Sequence, residues 1–234
     1  MFLILKNYDW RVKTYAHGAV FILITSFLPT VTYAWSSKDL FLFRPVHQQA
    51  IDRVLSTKLE DKYRDLLKEQ QKEVDNAQKA FQSYEHAMTG IEQSGKEINA
   101  NKNGCLLPLN SKSLYICLSE QFIRSNLLSA IEAKKNESTL DNAFKFLGNA
   151  IHPLQDASSP VHIGFQDWRY DETIPEIADH VSRERLYPKD AKVKQRLEAA
   201  VSYAFDIYLE KQTMPSAFFD KNGGLIIPDV YFKN

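Results

Sequence analysis

The sequence predicts an all-α fold, a helical bundle of five or six helices. Three observations point there. Apolar residues recur at steps of three and four along most of the chain, glycine and proline cluster between those runs, and no alternating β-branched segment rises above them.

The first 34 residues stand apart and read as a signal peptide. Lys6, Arg11 and Lys13 form a positive start, Gly18 to Leu28 is an apolar run, and Thr32-Tyr33-Ala34 ends in a small residue suited to cleavage. The apolar run is short for a bilayer span, which favours removal over anchoring. The expected product is one domain over 35–234, secreted or periplasmic, long enough for a real core.

Each element of that domain has its own signal. Val46, Ala50, Ile51, Val54, Leu55 and Leu59 form a helical stripe that Tyr63, Leu66 and Leu67 extend. Val74, Ala77, Phe81 and Tyr84 form a second, and Phe122, Ile123, Leu127, Leu128 and Ile131 a third. Between them, Thr89 to Leu118 is polar and reads as a long loop, the kind that often rims a site. Ser138 or Thr139 can cap a fourth helix that buries Phe144, Leu147, Ile151 and Leu154. A short helix is expected after the Trp168–Pro175 loop. The last long helix carries Val193, Leu197, Ala200, Val201, Ala204, Phe205 and Tyr208. From Met214 onward the pattern is non-helical and suits a hairpin packed on the bundle.

Charge and cysteine content narrow the function. The whole chain has a formal net charge of zero, and loss of Lys6, Arg11, Lys13 and Asp9 with the leader makes it slightly acidic. Such a surface does not capture duplex nucleic acid electrostatically. Cys105 and Cys117 are the two cysteines, and in an exported chain they suit a disulfide closing a short loop. Neither has a CxxC partner, so thiolate ligation of a metal is not expected.

Five of the six histidines follow the leader: His47, His86, His152, His162 and His180. His152 precedes Asp156 by four residues and His180 precedes Glu184 by four, which on a helix places each pair on one face. An imidazole and a carboxylate so placed can share a metal such as zinc, and bundle interiors commonly build sites from ligands on different helices. The spacing alone is weak, because acidic residues are common enough here to produce it by chance.

A longer pattern is more specific. The run A-F-K-F-L-G-N-A-I-H-P-L-Q-D-A-S-S-P-V-H over 143–162, followed by H-V-S-R-E over 180–184, resembles the bacterial zinc-dependent phospholipase C family. Members of that family also begin their mature chain with tryptophan, and cleavage after Ala34 exposes Trp35, with His47 twelve residues on. An aspartate followed by a histidine completes the family's set, offered here by Asp75 and His86. These parts span 35–86 and 143–184.

The resemblance implies three zinc ions in an interior cleft. Asp75, His86, His152 and Asp156 would hold the first. Trp35, through its free amine and carbonyl, would join His47 and Asp156 around the second, with Asp156 bridging. His162, His180 and Glu184 would hold the third. It further implies a monomeric hydrolase, with Asp75 as ligand and catalytic proton acceptor, acting on a phospholipid or other phosphoester through transient contact with a membrane surface. Its products would be diacylglycerol and a phosphorylated head group. Lys38 and Asn76 stand where choline-selective members carry an acidic and an aromatic residue, so choline preference is not implied. Two alternatives remain. One is the related zinc-dependent single-strand nuclease or 3′-nucleotidase, which more often shows G-D-x-H-Q-P-L-H and an aspartate in place of Glu184. The other is a non-catalytic zinc-binding module, whose metals would be saturated by protein donors.

Overall fold

Four helices pack around or beside a fifth in the computed structural model, which describes residues 46–76, 80–91, 104–105, 111–169 and 187–232. All of these belong to one compact unit, Val31–Asn234. The helices are α1 (Val46–Leu55), α2 (Asp61–Asp75), α3 (Lys112–Ala133), α4 (Leu140–Asp156) and α5 (Ala191–Tyr208). Short 3-10 turns cover Ala80–His86, Glu137–Thr139 and Asp229–Tyr231. The described strands are β1 (Thr89–Ile91) and β2 (Asp167–Arg169), which pair in parallel with Thr89 opposite Asp167. The described chain is therefore mostly helical, as its periodicity predicts. None of its described helices is long and apolar enough to cross a membrane.

Helix α4 is the hub, packing against α2, α3 and α5. Its predicted face is buried at Phe144, Leu147, Ile151 and Leu154, and from Ala150 to Asp156 the helix is buried on every side. Each such aliphatic or aromatic side chain contributes about 1.5–3 kcal/mol through removal from water. Thr139 precedes α4 but makes no cap bond to it. Its hydroxyl instead donates to the Ala133 carbonyl at 2.6 Å, tying the end of α3 to the start of α4.

One close approach sets the α2–α4 spacing. A Cβ on Gly148 would lie 2.8 Å from the Gln70 Cβ, nearer than two such carbons can sit. Glycine here lets the helices close enough for the Gln71 amide to donate to the Gly148 carbonyl at 2.8 Å.

Three sequence expectations need correction. The first stripe is two helices, because the chain turns at Thr57–Leu59 and restarts with Glu60 as the residue before α2. Leu59 and Tyr63 keep the apolar period across the break, which hides it. The expected loop over 89–118 contains β1 and the first two turns of α3. Ser111 starts that helix by accepting from the Leu114 amide at 3.1 Å. Leu128, placed on the buried stripe, is 54% exposed, since it lies about 100° around α3 from buried Leu127.

The cysteines do pair: Cys105 and Cys117 form a disulfide whose Cα atoms are 5.9 Å apart. Cys117 lies within α3, so the bridge anchors residue 105 to a helix face beside Leu114, Leu118 and Tyr84. The tail turns back on itself as an antiparallel Phe219–Leu225 bridge, with Phe218, Phe219, Leu225 and Ile227 buried. Asp220 Oδ1 accepts from the Asn222 and Gly224 amides at 2.7 and 2.9 Å, and Gly223 takes the left-handed φ of 83° that the turn requires.

Candidate metal centre

Six of the residues singled out in the sequence lie within the described chain, and all are buried: His47, Asp75, His86, His152, Asp156 and His162. Five of them are delivered by the end of an element. His47 is the second residue of α1, Asp75 the last of α2, His86 the last of a 3-10 turn, and His152 and Asp156 occupy the last turn and a half of α4. The stripe of Val74, Ala77, Phe81 and Tyr84 suggests one helix running up to His86. Instead α2, from the first stripe, stops at Asp75, Ala80–His86 is a 3-10 turn, and a left-handed Ala87 (φ 51°) ends it, at a cost of about 1–2 kcal/mol.

Five of the six meet around the Asp156 carboxylate. One oxygen, Oδ1, lies 3.2 Å from His47 Nε2. The other, Oδ2, lies 3.1 Å from His86 Nδ1 and 3.2 Å from His152 Nε2. The His86 and His152 nitrogens are themselves 3.1 Å apart, and Asp75 Oδ1 is 3.4 Å from His152 Nε2. His47–Asp75–His152 and His86–His152–Asp156 thus form two trios, joined through His152, with donor atoms close enough to hold an ion.

His162 is placed differently. After α4 the chain turns tightly, with the Ser159 amide on the Asp156 carbonyl at 2.8 Å and the His162 amide on the Ser159 carbonyl at 3.1 Å. This brings His162 Nδ1 to 2.8 Å from the His86 backbone carbonyl. The β1–β2 pairing, aided by the Thr89 hydroxyl donating to the Phe165 carbonyl at 3.0 Å, ties the segment after His86 to the segment after His162. Neither trio includes His162. Trp35, His180 and Glu184 lie outside the described residues, as do Lys38 and the expected short helix around His180.

Charge states follow from burial and neighbours. Burial drives the His152 imidazole down to about 3, with the nearby His47 and His86 adding to the effect against the pull of Asp156. Burial alone would raise Asp156, but the charges and hydrogen bonds of His152 and His47 outweigh it and hold the carboxyl well below its ordinary value. Burial likewise opposes a charged His86, yet Asp156, then Asp75 and Glu85, hold that imidazole above its ordinary value. At neutral pH, His152 is therefore a neutral donor and Asp156 an anion, the forms in which both bind metal.

The donor spacing is compatible with a bound metal ion. Donors about 2.0–2.1 Å from a tetrahedral ion lie about 3.3–3.4 Å apart. The triangle of His86 Nδ1, His152 Nε2 and Asp156 Oδ2 has sides of 3.1, 3.1 and 3.2 Å. Two further features of the setting agree. Asp75 is a fully buried carboxylate at the negative end of α2, where the helix dipole disfavours it without a nearby cation. His152 Nε2 also lies 3.2 Å from Asp156 Oδ2 and 3.4 Å from Asp75 Oδ1, contacts that call for a proton or cation between nitrogen and oxygen.

Two buried glutamines were not singled out in the sequence. Gln71 Oε1 lies 2.8 Å from His152 Nδ1, and Gln155 Nε2 donates to the His47 carbonyl at 3.2 Å. Gln71 had a readable signal. It falls at the buried position between Leu67 and Val74 of α2, four residues before Asp75, where the stripe calls for an apolar residue.

No family model, curated protein or solved structure matches this chain. What the described residues give by themselves is a buried His/Asp cluster able to hold a metal ion.

Proposed function

We propose that this protein is a secreted zinc metallohydrolase that cleaves phosphoester bonds, of the phospholipase C type. The observation that carries the reading is the buried Asp156 carboxylate, with one oxygen toward His47 and the other toward His86 and His152. A carboxylate so divided suits a bridge between two ions.

In this reading Asp75, His86, His152 and Asp156 hold one zinc. His47 and Asp156 share a second with the freed amine and carbonyl of Trp35, and His162, His180 and Glu184 hold a third. Bound zinc would supply positive charge to a phosphate group and bring a water to ionise near neutral pH. The chain's own residues do the rest. Asp156 fixes the spacing of the two clusters, and its low pKa keeps it anionic across the neutral range. Asp75 provides a carboxylate able to accept a proton beside the reacting water. Burial of all six described donors keeps bulk solvent from weakening their electrostatic pull. The substrate in this reading is a phospholipid or another phosphoester met at a membrane surface by a monomer, and the products are diacylglycerol and a phosphorylated head group.

The test is release of water-soluble phosphate ester from mixed phospholipid vesicles by the chain beginning at Trp35, with and without a zinc chelator. Chelator-sensitive release is the expected result. A zinc-loaded protein that leaves the vesicles intact but cleaves 3′-nucleotides or single-stranded nucleic acid would replace this reading with the nuclease one.

A further inference from the structure

His152 is the side chain common to both trios, and its usefulness as a ligand depends on where its proton sits. A neutral imidazole carries one proton, and only the bare nitrogen can bind a metal. The Asp156 and Asp75 carboxylate oxygens lie 3.2 and 3.4 Å from Nε2. Left to these acceptors, the proton would settle on Nε2 and close the ligand position.

On the opposite side of the ring, Gln71 Oε1 lies 2.8 Å from Nδ1. The orientation of that amide is not free. Its Nε2 donates to the Gly148 backbone carbonyl at 2.8 Å, and a carbonyl can only accept, so the oxygen must face the histidine. An amide oxygen facing Nδ1 requires the proton there. Gln71, His152 and the Gly148 contact are fully buried, so water offers no alternative partner.

We infer that Gln71 is a positioning residue of the metal centre, which holds His152 in the tautomer whose Nε2 is open to a metal. The inference rests on reading this cluster as a metal site. Gly148 belongs to the same device, because only its lack of a side chain lets α2 approach closely enough to lock the amide.

The test compares wild type with Gln71→Met, which keeps the length of the side chain and removes both polar atoms, and Gln71→Glu, which restores an acceptor. The first readout uses the metal-free protein: imidazole nitrogen NMR shifts assign the His152 tautomer. Wild type should carry the proton on Nδ1, and Gln71→Met should move it to Nε2. The second readout is zinc affinity by competition with a chromophoric chelator. It should fall about 10–100-fold in Gln71→Met, the range for a lost outer partner of a ligand histidine, and recover in Gln71→Glu. Helical content by circular dichroism separates these effects from loss of fold. A wild-type His152 protonated on Nε2 overturns the inference, even if Gln71→Met does not fold. So does a folded Gln71→Met that keeps both the tautomer and zinc affinity within about twofold. If wild type binds no zinc, the metal reading fails, while the tautomer measurement still decides the role of Gln71.

Discussion

Helices α4 and α5 share one core, yet they treat polarity in opposite ways. Helix α5 follows the rules of stability. Asp190 caps its start by accepting from the Lys192 and Val193 amides at 2.9 and 3.0 Å, Lys134 donates to the Tyr208 carbonyl at its end, and its buried side chains are Ala, Val, Leu, Ile, Phe and Tyr. Helix α4 ends by burying His152, Gln155 and Asp156, with Pro153 among them. Beside it, α2 ends on a buried carboxylate. The polar groups buried together at the ends of α2 and α4 break a local rule that α5 keeps, the pattern expected where a site trades stability for binding.

The comparison predicts that substitutions in the two regions trade stability and metal in opposite senses. Asp75→Asn should lower zinc affinity by about 100-fold, at the upper end of the range for disturbed metal surroundings. It should also stabilise the metal-free protein by about 0.5–1 kcal/mol, because an anion leaves the negative end of α2. Thermal denaturation with and without zinc measures both. A metal-free variant less stable than wild type would remove the contrast.

On the α5 side, Glu120 anchors the tail: its Oε1 accepts from the Phe218 and Phe219 amides at 2.6 and 2.7 Å. Glu120→Ala strands both donors and should cost about 3 kcal/mol in denaturant unfolding, with zinc affinity unchanged. Loss of zinc along with stability would mean the two regions are not separable.

Glu120→Gln gives the smallest effect and a pH signature. Burial raises the Glu120 carboxyl, against the two amides and Arg124. The folded protein therefore holds that proton more tightly than the unfolded chain. Its stability should decline as pH rises from the ordinary carboxylate value through the raised folded value. The glutamine keeps the acceptor without titrating, so its profile should lack this decline. Identical profiles would show that the group does not titrate in this way.

Much of the fold was legible in the sequence, and the reasons are specific. Phe144, Leu147, Ile151 and Leu154 repeat at helical spacing and share one buried face, so α4 could be read directly. Helix α3 was harder, because it carries apolar residues on more than one side: buried Leu127 and exposed Leu128 are adjacent. Its first turns read as part of the loop because the stretch that leads into them from Thr89 is polar, and only the Ser111 cap shows where the helix starts. The candidate ligands His47, Asp75, His86, His152 and Asp156 were named from the motif pattern. What could not be read was the shared position of His152 between two trios, or the partner of its far nitrogen. Gln71 and His152 are 81 residues apart, and no local pattern connects them.

Those separations bear on how the protein matures. Gln71–His152 spans 81 positions, His86–Asp156 spans 70 and His86–His152 spans 66, and β1–β2 closes a loop of similar size. Contacts so distant along the chain carry the entropy of large loops and form slowly compared with helices. The cluster should therefore assemble among the last events of refolding, so that zinc capture lags the recovery of helical signal in a stopped-flow experiment. Simultaneous signals would show that an early local pair suffices. A chain that acquires its metal last would not be held in an unfinished conformation by ions it meets while folding.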